Sequence, residues 1–179
     1  YGLSVVNTLL YVGGRVCLTS DHVMQASFWR QMRDRGITFL PGVPYTYTCM
    51  KKMNLHPERY EKLRVMTQAG GRLSKSLQEY WGQTAREYGK EFYIMYGQTE
   101  ATARISYLPP EHCLEKTGSV GIAIPGTQIF LRSPEGAVIT EAGAAGEVVV
   151  KGSHISMGYA TCRADLAQGC LLYTSPSPR

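Results

Sequence analysis

Apolar residues in the first hundred positions fall into short runs that are separated by stripes at helical spacing. The runs predict four strands, over residues 15–18, 37–40, 63–67 and 91–95. The stripes predict three helices, over residues 20–35, 44–53 and 74–88. Because strands that alternate with helices of this length form βαβ units, we expect a parallel sheet with helices on both faces.

Residues with strong end preferences support these helix limits. Ser20 or Asp21 can cap the first helix through a side-chain oxygen. Pro44 suits the first turn of the second helix, and Ser74 can cap the third. Gly89 follows the third helix, where a glycine commonly ends the helical run.

The pattern changes after about residue 110, where glycines become frequent and helical spacing fades. Short β-type segments follow, over residues 118–121, 128–132, 137–140 and 147–151. The sequence Ser-Pro-Glu-Gly at 133–136 predicts a hairpin turn, with the glycine where a positive φ is needed. The fold class that we predict is therefore α/β, with parallel βαβ units followed by a smaller, mainly antiparallel β region.

Three stretches of the chain follow from this pattern. Residues 1–110 would form an α/β part that is incomplete at its N-terminus, and residues 111–169 a β-rich part of the same large domain. Residues 170–179 do not continue the pattern and look like a translated sequencing adapter, so we interpret them as a non-native tail. A genuine Ser/Pro-rich tail is the alternative interpretation.

Composition narrows the class of protein. With 44% hydrophobic and 18% charged residues, the chain is typical of a globular domain rather than a disordered one. The formal charge of +5 comes from scattered lysines and arginines, so we expect no nucleic-acid partner. No apolar run approaches the ~20 residues that span a bilayer, so no transmembrane segment is expected.

The cysteines and histidines do not indicate a metal site or a catalytic triad. None of the five cysteines forms a C-x-x-C pair, and no histidine lies at metal-ligand spacing. The four histidines are dispersed and none pairs with a plausible nucleophile. A reducing cytoplasm fits this cysteine usage best.

Candidate chemistry is concentrated where the third and fourth predicted strands end. Gly70 and Gly71 follow the third strand, and residues 96–100, Tyr-Gly-Gln-Thr-Glu, follow the fourth. Because ligands gather at the carboxyl ends of parallel strands, both loops are candidates for one site. An aromatic ring can stack on a base, a hydroxyl can donate to a phosphate oxygen, and a carboxylate can help to hold Mg²⁺.

Each of these residues also has an ordinary structural interpretation. Thr99 and Glu100 can be a helix N-cap followed by a first-turn acid. Tyr96 can be a core aromatic residue. Gly70 and Gly71 can form a simple turn between a strand and a helix.

The order of four sequence blocks favours the functional interpretation. The blocks cover residues 65–71, 93–102, 118–126 and 146–152, the last followed closely by Met157-Gly158-Tyr159. In this order they resemble the successive motifs of the adenylate-forming ligases, the family of acyl-CoA synthetases, luciferases and peptide-synthetase adenylation domains. The resemblance runs from near Tyr1 to about Gly169. Residues 101–110 are most similar to acyl-CoA-synthetase-like members.

The resemblance implies a role for five consecutive residues after the fourth strand. Tyr96 would stack on adenine, and Gly97 and Gln98 would belong to the nucleotide-binding loop, with Gln98 near the acyl pocket. Thr99 would contact the phosphate, and Glu100 would bind Mg²⁺. Thr99 and Glu100 would thus be the catalytic residues of this stretch.

The other blocks have more general implied roles. Gly70 and Gly71 would form a backbone wall shared by adenine and the acyl group. Residues 1–110, which contain this pair and residues 96–100, would then be the nucleotide-binding part. The block from Gly146 to Tyr159 is mainly architectural in such proteins, so the resemblance implies no chemistry there.

An activity also follows from the resemblance. The family activates a carboxylic acid with ATP and Mg²⁺ to an acyl adenylate, with AMP as the later product. The acyl group then passes to a thiol, which is CoA or the phosphopantetheine of an acyl-carrier protein. Aromatic and aliphatic residues in the motif loops favour a partly apolar acid.

Three features of the family would lie outside this chain: the phosphate loop before Tyr1, the ribose-binding aspartate just past Gly169, and the carboxy-terminal lid with its lysine. We therefore interpret the chain as an internal fragment of such a ligase and expect it to be inactive by itself. Measuring pyrophosphate release from ATP in the presence of carboxylic acids tests this expectation. The alternative is a non-catalytic nucleotide-binding or interaction module on the same scaffold. A third alternative, an unrelated doubly wound domain such as a receiver, lacks support, because the early strand ends of this sequence carry no cluster of acidic residues.

Overall fold

The computed structural model describes residues 1–156, 158–167 and 173–176. Backbone contacts divide the chain into two units. The first unit contains Tyr1–Tyr96 and Ser106–Ile122, and the second contains Gly97–Ile105 and Ala123–Arg179. The predicted domain boundaries at residues 110 and 169 stay a prediction.

A mostly parallel sheet organises the first unit. Its strands are β1 (Phe39–Gly42), β2 (Val65–Gln68), β3 (Glu91–Tyr96), β4 (Ser106–Leu108) and β5 (Ile122–Ala123), in the spatial order β1-β2-β3-β4-β5. β1 pairs parallel with β2 and β2 parallel with β3, whereas β4 runs antiparallel to β3. The register aligns Leu40 with Met66 and Met66 with Phe92. The predicted parallel βαβ units are confirmed.

Four helices accompany this sheet: α1 (Gly2–Tyr11), α2 (Ala26–Asp34), α3 (Pro44–Lys52) and α4 (Lys75–Glu87). α3 and α4 lie where the apolar spacing predicts them. α2 begins at Ala26 with Gln25 as its N-cap, so the predicted caps Ser20 and Asp21 are wrong. Both residues lie in the stretch 15–22, which has no regular structure. None of the four is long and apolar enough to cross a membrane, and the same holds for every helix in the described part of the chain.

Two of the predicted strands are wrong. Residues 15–18 form no strand, and Leu18 is 81% exposed, so this apolar run does not pack as a sheet strand would. Residues 118–121 also form no strand, because Gly118 and Gly121 adopt φ values of +90° and +80°. Left-handed glycines of this kind break the extended backbone that a strand requires.

The core of the first unit packs around three aromatic rings. Tyr47 and Trp81 are 0% exposed, and Phe92 is 1% exposed. The Tyr47 ring lies 5.8 Å from the Trp81 ring and 5.0 Å from the Phe92 ring, measured between centroids. The polar atoms of the Trp81 and Tyr47 rings both have partners: Trp81 Nε1 donates to the Tyr47 carbonyl at 3.1 Å, and the Tyr47 hydroxyl donates to the Thr67 carbonyl at 2.9 Å. This core ties α3 and α4 to the central strands β2 and β3.

The predicted N-cap of α4 is confirmed and gives a first test of the fold. Ser74 Oγ accepts a hydrogen bond from the Leu77 backbone N–H at 3.3 Å. Ser74→Ala removes this side-chain acceptor and leaves the Leu77 N–H with only the Ser74 backbone carbonyl, at 3.1 Å. We therefore expect a loss of about 1 kcal/mol in the free energy of unfolding. Urea denaturation measures this loss. Ser74→Asp keeps an acceptor and is expected to match the wild type, whereas an equally stable Ser74→Ala chain would contradict the cap.

An antiparallel sheet organises the second unit. Its strands are β6 (Thr127–Arg132), β7 (Val138–Ile139), β8 (Glu147–Gly152) and β9 (Tyr173–Pro176), in the spatial order β7-β6-β8-β9. The hairpin between β6 and β7 turns at residues 133–136, with Gly136 at a φ of +90°, as predicted. The predicted fold class, a parallel α/β part followed by a smaller antiparallel region, is therefore confirmed.

The last strand of this sheet falls in the stretch that we interpret as a non-native tail. β9 pairs antiparallel with β8, so that Val148 lies opposite Ser175. The rest of the predicted tail, residues 170–172 and 177–179, lies outside the described residues. The backbone of Tyr173–Pro176 therefore extends the sheet. The non-native origin of the tail stays a prediction.

Candidate functional site

Parallel strands β2 and β3 end near two of the predicted site residues, Gly70 and Tyr96, which both belong to the first unit. β2 ends at Gln68, two residues before Gly70, and β3 ends at Tyr96. Since these strands are parallel neighbours, their carboxyl ends lie at the same edge. Tyr96 is half-buried and pairs with Ser106 of β4, so its ring is not sealed in the core.

The glycine pair after β2 is an exposed loop that needs at least one glycine. Gly70 has a φ of +75°, a conformation that residues with a side chain rarely adopt. A Cβ at Gly70 would lie 3.3 Å from Val43 Cγ1, and one at Gly71 would lie 3.2 Å from Pro44 Cγ. The backbone of this loop is thus open to a ligand, and a side chain on either glycine would crowd the start of α3.

A buried glutamine that the sequence analysis did not single out holds this loop. Gln68 is 1% exposed, and its Nε2 donates to the Gly71 carbonyl at 2.7 Å. Its Oε1 is buried and has no hydrogen-bond partner among the described residues. Only its place as the last residue of a strand before two glycines could have indicated this role.

Gly97 lies at the tightest backbone contact of the loop that follows β3. A Cβ at this position would lie 2.1 Å from the Ala103 carbonyl oxygen and 2.8 Å from Arg104 Cα. The loop closes through backbone hydrogen bonds from the Ala101 and Ala103 N–H groups to the Gln98 carbonyl, at 3.1 and 2.9 Å. Any side chain at Gly97 would therefore have to displace backbone atoms.

Thr99 and Glu100 lie in a single 3₁₀ turn, Thr99–Ala101. Gln98, not Thr99, is the residue that precedes the turn as its N-cap, and it makes no side-chain capping hydrogen bond. The alternative interpretation of Thr99 as a helix N-cap is therefore wrong, because the helical turn already includes it. The Thr99 side chain is exposed, which leaves its hydroxyl accessible to a ligand.

Glu100 is the carboxylate of this loop, and it is held at two points within the second unit. The Tyr159 hydroxyl donates to Glu100 Oε1, and the Ser156 N–H donates to the Glu100 carbonyl at 2.7 Å. The hydrogen bond from Tyr159, and after it the backbone N–H of Glu100 itself, lowers the pKa of this carboxyl below its ordinary value. Glu100 is therefore an ionised acceptor at neutral pH.

The residues present fit a magnesium ion that is shared with a bound phosphate. No group of three or more His, Cys, Asp or Glu side chains able to hold a metal occurs within the described residues. Mg²⁺ is usually bound by one or two carboxylates, with water and substrate phosphates completing its shell. One ionised carboxylate beside the exposed Thr99 hydroxyl suits that mode, rather than a cage made only of protein ligands.

Tyr159 is a second residue, after Gln68, that the sequence did not indicate. Its block was interpreted as architectural, yet its hydroxyl reaches the carboxylate of Glu100, which is 59 positions earlier in the chain. The sequence singled out Tyr159 only as a member of the block 157–159. Neither residue spacing nor hydrophobic periodicity indicates a contact between residues 59 positions apart. Residue 157 lies outside the described residues.

Known proteins match this chain over most of its length. The sequence profile of the family described as AMP-binding enzyme matches residues 1–160. A 2-succinylbenzoate–CoA ligase of Bacillus cereus (strain Q1) is 33% identical over 160 residues, which are 88% of this chain and 31% of that ligase. The chain thus spans about a third of the length of this curated relative.

Solved structures agree with this match. The O-succinylbenzoate coenzyme A synthetase MenE of Bacillus subtilis, in complex with AMP, superposes with a TM-score of 0.71 at 26% identity, over 86% of this chain and 30% of that one. The same synthetase in complex with the acyl-adenylate intermediate OSB-AMP gives a TM-score of 0.76 at 26% identity, over 91% of this chain and 32% of that one. With its predicted motifs, its α/β fold and a family profile that covers residues 1–160, the chain belongs to the AMP-binding enzyme family.

Proposed function

We propose that this chain is the part of an acid–thiol ligase that binds ATP and Mg²⁺ during activation of a carboxylic acid. The arrangement after β3 supports the proposal. Within four residues of the strand end at Tyr96, the chain presents a glycine with no room for a side chain, an exposed hydroxyl at Thr99 and a hydrogen-bonded carboxylate at Glu100. The Tyr96 ring, the Thr99 hydroxyl and the Glu100 carboxylate are the groups that suit the base, the phosphate and the metal of a bound nucleotide.

Each residue has a distinct task in this proposal. Tyr96 stacks on adenine, and Gly97 and Gln98 let the loop backbone pass close to the nucleotide. The Thr99 hydroxyl donates to a phosphate oxygen, and Glu100 is the protein ligand of Mg²⁺. The metal supplies positive charge that offsets the charge on the phosphates when the substrate carboxylate attacks.

The glycine loop after β2 contributes backbone instead of side chains. Gly70 and Gly71 form a wall against adenine and the acyl group, and the hydrogen bond from Gln68 to the Gly71 carbonyl fixes that wall. The acyl group then passes to a thiol. The relatives are named as CoA ligases, which favours CoA over a carrier-protein phosphopantetheine as the acceptor. We expect a cytoplasmic location, where Cys17, Cys49, Cys113 and Cys162 stay free thiols as the structure describes them.

Nucleotide binding, rather than turnover, is the appropriate measurement for the 179-residue chain. The chain spans 31% of its relative, and we expect it to release no pyrophosphate from ATP by itself. Titrations followed by ¹H–¹⁵N NMR detect even millimolar binding. The ratio of the ATP dissociation constant in EDTA to that in Mg²⁺ defines the metal-dependent gain in affinity.

Glu100→Gln is expected to lower this metal-dependent gain by at least about tenfold, because it removes the one charged metal ligand of the loop. AMP affinity in EDTA should stay unchanged. Glu91→Gln is a matched control, since Glu91 also accepts a hydrogen bond from a tyrosine, Tyr93, at 2.9 Å. A wild-type chain without ATP binding, or a Glu100→Gln chain with the full metal-dependent gain, would contradict the proposal.

A further inference from the structure

The turn that carries Glu100 is held by a second segment of the same unit. The Ser156 N–H donates to the Glu100 carbonyl at 2.7 Å, and the Thr102 hydroxyl donates to the His154 carbonyl. The Tyr159 hydroxyl adds a third hydrogen bond, to Glu100 Oε1. Each of these three hydrogen bonds joins residues more than fifty positions apart. Together they hold the Glu100 carbonyl, the residue after the turn, Thr102, and the Glu100 carboxylate.

The two residues that follow this turn have a backbone conformation that needs such support. Thr102 and Ala103 have φ values of 49° and 72°, although neither is a glycine. Residues with a Cβ adopt this region at a cost, and they persist in it only where the surroundings determine their conformation. The contact with His154 and the closure onto Gly97 are the surroundings that do so here.

The hydrogen bond from Tyr159 leaves Glu100 able to bind a cation. An ionised carboxylate has two oxygens and about four lone-pair sites. Donation to Oε1 uses one of these sites and fixes the rotation of the group. Outer partners of this kind orient the ligands of metal sites, and their removal typically lowers metal affinity.

We infer that Tyr159 is a positioning residue, which holds the Glu100 carboxylate in the orientation that binds the divalent metal of a bound nucleotide. This role rests on the proposed function, since it requires Glu100 to bind that metal. In this role the Tyr159 hydroxyl acts through its hydrogen bond to Glu100. It is 74% exposed, so it contributes little to the apolar core of its unit.

Tyr159→Phe tests this role because it removes the hydroxyl and keeps the ring. We expect the metal-dependent gain in ATP affinity to fall by about tenfold, with AMP affinity in EDTA unchanged. Mn²⁺ is the second probe: in the presence of ATP, its apparent affinity, measured by electron paramagnetic resonance, should fall by the same factor. Tyr93→Phe removes the matched hydrogen bond to Glu91 and should leave both quantities unchanged.

A double-mutant cycle separates positioning from a general structural role. If Tyr159 acts through Glu100, Tyr159→Phe should have no further effect on metal binding in a Glu100→Gln chain. A full, additive loss in the double variant would overturn the inference. So would an equal loss of AMP affinity in EDTA, or a Tyr159→Phe chain with the wild-type metal-dependent gain.

Failure of the proposed function has a different signature. A wild-type chain that binds no ATP in either buffer would overturn the proposed function, and the role of Tyr159 with it. A wild-type chain with normal metal-dependent binding and an unaffected Tyr159→Phe variant would overturn only the role of Tyr159. The same titrations distinguish the two results.

Discussion

A Gly97→Ala chain is expected to lose nucleotide binding whether or not magnesium is present. The added Cβ would lie 2.1 Å from the Ala103 carbonyl oxygen, 2.7 Å from its carbon and 2.8 Å from Arg104 Cα. All three are backbone atoms, so no side-chain rotation relieves the contact. The loop from Gly97 to Ile105 must open, which displaces Thr99 and Glu100 together.

The expected loss of AMP affinity is at least about tenfold, measured by NMR titration in EDTA. Overpacking of this kind also costs about 1–3 kcal/mol in the free energy of unfolding, which urea denaturation measures. Gly2→Ala is the control, because a Cβ at Gly2 meets nothing within 4 Å. Wild-type AMP affinity in the Gly97→Ala chain would show that the closed loop is not needed for binding. Because the loss includes AMP in EDTA, this variant is distinct from Glu100→Gln.

A Trp81→Ala chain is expected to lose about 3–5 kcal/mol in the free energy of unfolding. Trp81 is 0% exposed, and its ring lies 5.8 Å from Tyr47 and 5.1 Å from Tyr80, between centroids. Removing the indole leaves a cavity between α3 and α4 and also breaks the Nε1 hydrogen bond to the Tyr47 carbonyl. Since small domains are stable by about 5–15 kcal/mol, this loss is a large share of the total.

Urea denaturation, followed by circular dichroism, measures the effect of Trp81→Ala. Tyr11→Ala is the control for loss of a large aromatic side chain at an exposed site, because Tyr11 is 92% exposed. It should change the free energy of unfolding by no more than about 0.5 kcal/mol. A loss below about 1 kcal/mol in Trp81→Ala would show that the packing around α4 does not form the core in solution.

Local signals predicted the parts of the fold where neighbouring residues decide the structure. α4 combines a capping serine at Ser74 and a terminal glycine at Gly89 with an apolar stripe, and it lies where these predict it. Residues 15–18 have an apolar run but no strand, since a strand also needs a paired neighbour, which a four-residue pattern does not specify. The predicted strand at residues 118–121 does not form, because Gly118 and Gly121 have positive φ values.

In the candidate site, too, the sequence predicted residues that are close together along the chain and not the contacts between distant ones. One contiguous block at the end of a strand predicted Tyr96, Gly97, Gln98, Thr99 and Glu100, and their roles stay a prediction. Tyr159 could not be predicted, because its contact with Glu100 joins positions 59 residues apart. The close approach of Ala103 to Gly97 could not be predicted either. It occurs where Thr102 and Ala103 have left-handed backbone, a conformation that neither residue type indicates.

Amide chemical-shift changes on addition of AMP show which residues of the chain contact the nucleotide. With AMP in EDTA, we expect the largest shifts at residues 70–71 and 96–100 of the 179-residue chain. Shifts that are concentrated instead around the cavity of about 340 Å³ lined by Arg86, Lys90 and Glu111 would contradict this expectation. An unchanged spectrum at saturating AMP would do the same.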